Sequence, residues 1–381
     1  MNVAEKNLII CHLCDFAPPF AGNFMASLVH LEAKLKSTNV NNKVIYVFYK
    51  EANDREWARK MQNDGWDENL YFIEHKSFQS FLRLRKILKI NSVGILHLHF
   101  GFPVIVLALL KIFCSNVQII FHYRMYIKTH SSLIDRIKKT VKVFLFNNIP
   151  DTICAVSKAV FYDLIKLGVN KEKCRYIDNG IAFSRLDMEY EDGKVIYNLQ
   201  DKKVIMIYGT FFYIKGVDIA ISAIKDIADE YGIVLMIVCQ NKDFVLEQIR
   251  KLISHIPGWI FIVPSQENIV FYYKMSDLYL TPSRGEAFSN NMLESIYCGT
   301  PVIRSDNPGM DRGLPHDIKF PINDVSSFRE CIISILNKPK DEKDIILSEQ
   351  KEYIVKKWNI DTWSDKIINM YFQQMQQNKN N

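Results

Sequence analysis

The sequence predicts an α/β protein made of two doubly wound, Rossmann-like domains. Three observations carry that prediction. The chain has 381 residues, beyond the roughly 250–300 at which a single hydrophobic core stops growing. Strand-like and helix-like runs alternate along residues 1–183, the pattern of a parallel sheet covered by helices. A polar, irregular stretch at 182–199 reads as a linker, and the alternation then resumes in a second domain set at 195–358.

Taken in order, the strand-like runs at 8–13, 44–49, 93–99, 117–123 and 152–156 are short and apolar. Helical patterns follow at 24–36, 78–89, 102–113, 133–146 and 158–167. The second half gives strands at 204–208 and 234–239, helices at 217–228 and 245–254, and a strand–loop–helix–strand unit at 277–305. In that unit 277–281 is an apolar strand and 282–285 a turn cluster. Ser289 suits a helix N-cap, and Leu293, Ile296 and Tyr297 share one helical face. Gly299 suits the first position past the helix, and Pro301 stops any continuation. Residues 359–381 read as a final helix, 361–373, with Trp363, Ile367, Ile368 and Tyr371 on one side, running into a frayed polar tail, QQMQQNKNN.

With 48% hydrophobic and 24% charged residues, the composition is that of an ordinary globular protein. The longest apolar run, 103–113, contains Lys111 and is well short of the ~20 residues of a membrane span. Glu5 and Lys6 precede only the short run NLIICHL, which is not a signal peptide, so a cytoplasmic location is expected. The eight cysteines are scattered. Cys11 and Cys14 form a C-x-x-C, read as a buried reduced pair in preference to a redox or zinc site, because no second pair has metal-site spacing.

Charge is uneven. Residues 1–185 hold 26 Lys and Arg against 15 Asp and Glu, a balance of +11, while the remainder holds 22 against 27, a balance of −5. The basic half implies an acidic partner, either an anionic membrane surface or a phosphate-bearing acceptor. No nucleic-acid motif is present, and no nucleic-acid partner is expected. The stretches FLRLRKILKI (81–90) and IDRIKKTVKVF (134–144) interleave basic and apolar residues. As helices they suit either attachment to an anionic membrane or an ordinary basic face turned to water.

The chemistry concentrates at 277–305. Glu286 leaves the first strand of that unit and Glu294 lies in its helix, with seven residues between them. Ligands of parallel sheets bind outside the carboxyl ends of the strands, and backbone N–H groups at 289–291 open the helix as an anion site. The run S-R-G-E-A-F-S-N-N-M-L-E-S-I-Y-C-G-T-P-V-I resembles the signature of the retaining family-4 glycosyltransferases (glycosyl transferases group 1). That resemblance implies a GT-B fold, two facing Rossmann-like domains with a cleft between them: an acceptor-side domain at 1–183, a nucleotide-sugar domain at 195–358, and a last helix returning to the first. It also implies that Glu294 accepts hydrogen bonds from the donor's ribose, that Glu286 sits at the donor sugar, and that Phe288, Ser289 and Asn290 belong to the donor site.

Other loops fit the same family. G-T-F-F-Y-I-K-G, 209–216, joins a strand to a helix. Gly209 would admit a ligand to the backbone, and Lys215 would hold a diphosphate as a point charge. The family's loop carries an arginine where Thr210 stands, and Arg284 on the facing loop is a candidate to replace it. In C-D-F-A-P-P-F-A-G-N, 14–23, Gly22 matches the second glycine of a loop that approaches the donor phosphates, with Ala21 in place of the first. His122 ends a strand where many members carry a histidine reaching the sugar or acceptor, and a core or rim histidine is the alternative. His97 and His99 alternate with apolar residues on one strand face and read as structural. Asn179 and Gly180 read as a turn. No D-x-D occurs, in keeping with a transferase that uses no metal.

The sequence therefore predicts a metal-independent retaining glycosyltransferase without a cofactor. Its donor would be a UDP- or GDP-sugar. The acceptor would be a saccharide or lipid-linked saccharide, in bacterial surface polysaccharide or lipid-linked oligosaccharide synthesis. The enzyme would be cytoplasmic, with a peripheral position on the inner face of the cell membrane. The competing reading, motivated by Thr210, is a catalytically impaired partner or scaffold of an active transferase.

Overall fold

The computed structural model describes residues 7–75, 77–101, 103–127 and 133–377. The chain divides into two compact units, Met1–Gly180 with Ile360–Asn381, and Ile181–Asn359.

The first unit holds a seven-stranded sheet of β1 (Leu8–Cys14), β2 (Asn42–Tyr49), β3 (Leu70–Ile73), β4 (Ile95–His99), β5 (Gln118–Tyr123), β6 (Thr152–Ala155) and β7 (Cys174–Tyr176), in the order β3-β2-β1-β4-β5-β6-β7. Every pairing is parallel. Helices cover both faces, so the strands read as unbroken apolar runs and are buried nearly end to end. The strand order reverses between β1 and β4, which makes the loops after these two strands the natural ligand edge. The Gly22–Lys36 helix packs on the final helix, Ile360–Gln377. That helix buries Trp363, Ile367, Ile368 and Tyr371, the face read from the sequence. Gly180 closes the first segment of the unit. A Cβ there would lie 2.4 Å from Cβ of Trp363, so only glycine lets the helix seat.

The second unit holds β8 (Lys203–Tyr208), β9 (Ile233–Cys239), β10 (Ile260–Pro264), β11 (Leu278–Thr281), β12 (Val302–Ser305) and β13 (Lys319–Phe320), in the order β10-β9-β8-β11-β12-β13, again all parallel. Ile205, Ile207, Leu235, Ile237, Leu280 and Ile303 form the centre of its core. Phe320 and Phe328 stack against it with ring centroids 4.1 Å apart. Here the order reverses between β8 and β11.

Three expectations change. The stretch 182–199 is no loose linker. Phe183 and Leu186, three residues apart on one 3-10 turn, are buried, and Asp192 caps the Gly193–Ile196 helix by accepting from N–H of Lys194 and Val195. The expected frayed tail is helical as far as Gln377, because Gln374 falls on the same buried face as Ile367 and Tyr371; its last four residues lie outside the described ones, as do Glu5 and Lys6. The expected helix at 102–113 begins at Val104, with Phe102 outside the described residues. Among the described residues no helix is long and apolar enough to cross a membrane.

Candidate active site

In the second unit two loops leave neighbouring strands at the point of reversal, 209–216 after β8 and 282–289 after β11. The first turns through a single helical turn, Phe212–Lys215, held between Phe211 (φ 58) and Gly216 (φ 72), both left-handed. Gly216 is obligatory twice over, since an added Cβ would also meet the Pro282 carbonyl oxygen at 2.2 Å. N–H of Arg284 donates to the Ile214 carbonyl at 2.8 Å and stitches the two loops together. Lys215 Nζ then donates to both carboxylate oxygens of Glu286, at 2.9 and 3.1 Å. The two side chains stay 21% and 14% exposed, so the pair is open to a ligand. The Glu286 main chain is fixed from behind by Gly309, where a Cβ would stand 1.7 Å from the Glu286 carbonyl oxygen.

The next helix, Asn290–Tyr297, begins at Ser289, whose φ of 63 is left-handed for a residue with a side chain. Its hydroxyl is buried and has no hydrogen-bond partner among the described residues. Glu294 lies one turn further on, buried. Arg185 Nη2 donates to its Oε1, and the Tyr273 hydroxyl stands 3.5 Å from Oε2. Burial works against the Arg185 charge, and the Glu294 carboxylate more than restores it. The helix ends with Gly299 at φ 86, as its sequence position demands.

In the first unit β1, β4 and β5 lay a row of imidazoles side by side, with His12 opposite His97 and His99 opposite His122. His12 Nδ1 and His99 Nε2 are 2.9 Å apart, and His97 Nδ1 is 2.6 Å from the Tyr371 hydroxyl. The Arg124 guanidinium lies beside them, 3.5 Å from His122 Nδ1.

Residues 191–371 match the glycosyl transferases group 1 family, and residues 44–185 match glycosyltransferase family 4. The chain belongs to this glycosyltransferase family. A 41.2 kDa protein in the cps region of Klebsiella pneumoniae is 27% identical over 59% of this chain and 64% of its own length. The N-acetyl-alpha-D-glucosaminyl L-malate synthase of Bacillus anthracis is 26% identical over 44% of each chain. The match thus spans less than two thirds of either relative. Anabaena HepE in complex with UDP-glucose has the same fold, at a TM-score of 0.77 and 12% identity, over 96% of this chain and all of the other. The two sheets, seven and six strands, are those of a GT-B protein.

With the family established, the site residues read from the sequence sort clearly. Lys215, Glu286, Phe288, Ser289, Asn290 and Glu294 fall on the two loops and the helix just described. Phe288 is buried under the Arg312 guanidinium, 4.1 Å from its ring centre. Gly22 has φ 54 and open space where a Cβ would be, the conformation and the room that a ligand's approach needs.

Gly209 departs from expectation. A Cβ there would strike Ile237 Cγ2 at 2.7 Å and Cys239 Cβ at 3.2 Å, so it is glycine for close packing on β9. Ser289 marks the helix start but its side chain makes no cap hydrogen bond, because the left-handed backbone turns it elsewhere. Arg284 is not free to replace the family's arginine. It grips Asp218 with two hydrogen bonds of 2.8 and 2.7 Å, donates to the Tyr213 carbonyl and to Asn323, and stacks on the Tyr213 ring. Its task is to fasten the 209–216 loop.

His122 also departs from expectation. It has no exposed surface, and burial first, then the nearby Arg124 charge, holds its pKa well below the ordinary imidazole value. It is a core residue, packed flat on His97 with centroids 5.4 Å apart. Among the described residues His12, His97 and His99 are the group whose nitrogens could share a metal, lying within 4.8 Å of one another. The hydrogen bond between His12 and His99, the bond from His97 to Tyr371, and the adjacent guanidinium fit a neutral hydrogen-bonded layer better than a cation site. Cys11 and Cys14 are buried free thiols whose pKa values burial raises.

Sequence reasoning missed Arg185, which sits in the stretch read as a linker. Its one signal was the apolar pair Phe183 and Leu186 around it.

Proposed function

We propose that this protein transfers a sugar from a nucleoside-diphosphate sugar, UDP- or GDP-linked, to an acceptor hydroxyl with retention of anomeric configuration and without a metal. The observation that carries the reading is the partly open Lys215–Glu286 pair beside buried Glu294, at the strand reversal of the second sheet. A departing diphosphate needs positive partners. Lys215 offers an ammonium that is not fully enclosed, and the start of the Asn290–Tyr297 helix offers backbone N–H groups and the unpartnered Ser289 hydroxyl. Glu294, aimed by Arg185, accepts the ribose hydroxyls. Glu286, steadied by Lys215, lies at the donor sugar, where its charge favours an oxocarbenium-like state. The leaving phosphate takes the acceptor's proton on the same face. The two carboxylates are held by different cations and are not the acid–base pair of a glycosidase. Thr210 in place of the family's arginine, with Arg284 held by Asp218, is the feature that favours the scaffold reading, and the family match and the presence of both glutamates and the lysine weigh against it.

The acceptor is a saccharide or lipid-linked saccharide of a bacterial surface polymer, a reading supported by the Klebsiella relative of the cps region. Peripheral attachment to the inner membrane face is supported by the first unit's Phe78–Ile90 and Val104–Phe113 helices, which pack together through Phe81 and Phe113. Phe78, Leu82, Ile90, Ile105, Ile112 and Phe113 stand exposed on them, among exposed Arg83, Lys86 and Lys89. Exposed apolar side chains set among cations suit an anionic bilayer.

The test is a thermal-shift panel of nucleoside-diphosphate sugars. A true donor at 100 times its dissociation constant stabilises the folded state by about 2.7 kcal/mol. No shift with any uracil or guanine donor would count against the reading.

A further inference from the structure

Arg124 is a cation at the ligand edge of the first sheet. It follows β5, next to His122. Its Nη1 donates to Asn179 Oδ1 at 2.8 Å, and its Nη2 stands 3.5 Å from His122 Nδ1. Its guanidinium carbon lies 5.3 Å from the ring centre of Phe24 and 5.7 Å from that of Phe100. All of these neighbours are neutral, and so are His12, His97 and His99, whose pKa values are kept low by burial first, then at His12 by the guanidinium and at His97 and His99 by neighbouring imidazoles and the guanidinium. Among the described residues no carboxylate forms an ion pair with Arg124; nearby Asp15 is 3.5 Å from His75 Nε2 instead. Burial lowers the pKa of Arg124 only to about 10, so it is charged at neutral pH. A half-buried cation normally has an anion beside it, and the described residues provide none.

Two further observations converge on the same spot. Phe24 stands in the first turn of the Gly22–Lys36 helix, which has no side-chain cap and no acidic residue in that turn. Its leading N–H groups and the positive end of its dipole therefore add to the guanidinium. Phe100, at the end of β4, holds a left-handed φ of 66, a strained backbone for an aromatic residue. That turn packs its ring on Phe24 and Phe16 and beneath the guanidinium. These groups all lie at the carboxyl edge of β1, β4 and β5, the ligand edge of the first sheet.

We propose that Arg124 binds an anionic group on the acceptor, a carboxylate or phosphate carried by the sugar that receives the transfer. The proposal rests on the glycosyl-transfer reading above and adds a substrate class to it. Arg124 is a binding residue and takes no part in bond making. Its planar fork donates two parallel hydrogen bonds to a carboxylate or phosphate, with the aromatic pair beneath it fixing the plane.

The experiment is calorimetric titration of the full chain with glucuronate, glucose 6-phosphate and glucose, in the unaltered protein, Arg124→Met and Arg124→Lys, with UDP and GDP titrated into each as controls; nucleotide affinity is read on whichever of the two the unaltered protein binds. The expected result is that at least one anionic sugar binds about ten-fold or more tighter than glucose, as a charge-assisted hydrogen bond requires. That preference should vanish in Arg124→Met, survive in part in Arg124→Lys, and leave nucleotide affinity unchanged in both. Equal binding of charged and neutral sugars by the unaltered protein, or a preference that persists in Arg124→Met, overturns the proposal. A matching loss of nucleotide affinity in Arg124→Met also overturns it, because the guanidinium would then serve the donor's diphosphate. Failure of the unaltered protein to bind UDP or GDP is a separate result, which strikes the glycosyl-transfer reading and leaves the anion site standing or falling on the sugar titrations alone.

Discussion

Glu286 and Glu294 have only seven residues between them, yet their surroundings assign them different work. Glu286 faces an ammonium that a ligand can reach, whereas Glu294 is buried against a guanidinium and a tyrosine hydroxyl. A group whose charge matters most as the sugar turns cationic should affect turnover more than binding. Glu286→Gln is therefore expected to lose most turnover while keeping nucleotide affinity, measured by steady-state transfer and by calorimetry. Full turnover in that variant would remove Glu286 from the mechanism. The two glutamates could be read in the sequence because their roles follow from one short strand–loop–helix unit with a well-marked start and end. Arg185 and His122 could not. Arg185 reaches Glu294 across 109 positions of chain, a distance no local pattern records. A histidine at a strand's end looks the same in sequence whether it faces solvent or, as His122 does, lies sealed in the core.

At the scale of elements, the buried imidazole row of β1, β4 and β5 makes the first unit sensitive to acid. All four histidines have folded-state pKa values below the ordinary one, with His12 pushed down to about 3. The unfolded chain takes up protons near pH 6.5 and the folded chain does not, so stability is present above that pH and is lost as pH falls from 6.5 toward 3. For His12, whose folded value is about 3, the loss at pH 5 is roughly 2 kcal/mol, and the other three act in the same direction. Urea unfolding of the first unit at pH 7 and pH 5, followed by hydrogen exchange of its strands, should show this fall. Equal stability at the two values would mean that the imidazoles are already charged or solvated in the folded state. The long strands were legible because burial on both faces makes them continuous apolar runs. The four-residue β3, three-residue β7 and two-residue β13 carry too few residues for any period. The Lys340–Trp358 helix escaped because only Gln350, Ile354 and Trp358 are buried along it, too thin a stripe to show as an apolar face.

Across the whole molecule, the excess of basic residues in 1–185 and the exposed apolar side chains of the Phe78–Ile90 and Val104–Phe113 helices lead to one prediction about location. In the second basic stretch, 134–144, the side chains of Ile134, Asp135 and Arg136 lie outside the described residues, and Ile137, Val141 and Phe144 are exposed. Each basic residue at an anionic surface contributes about 1 kcal/mol, and salt screens it. The protein should sediment with anionic vesicles at low salt and leave them at high salt. Charge reversal at Arg83, Arg85, Lys86 and Lys89 should weaken that attachment without changing nucleotide affinity. Equal behaviour with neutral and anionic vesicles would point to a soluble acceptor.

The second unit is expected to hold a nucleoside diphosphate through Lys215 and Glu294. The measurement is calorimetric titration of UDP and GDP into the unaltered protein, Lys215→Ala and Glu294→Ala. One of the two nucleotides should bind the unaltered protein, and each variant should bind it about 10- to 150-fold more weakly, the worth of one charge-assisted hydrogen bond of roughly 1.5–3 kcal/mol. Unchanged affinity in both variants, or no binding of either nucleotide to the unaltered protein, would contradict the account.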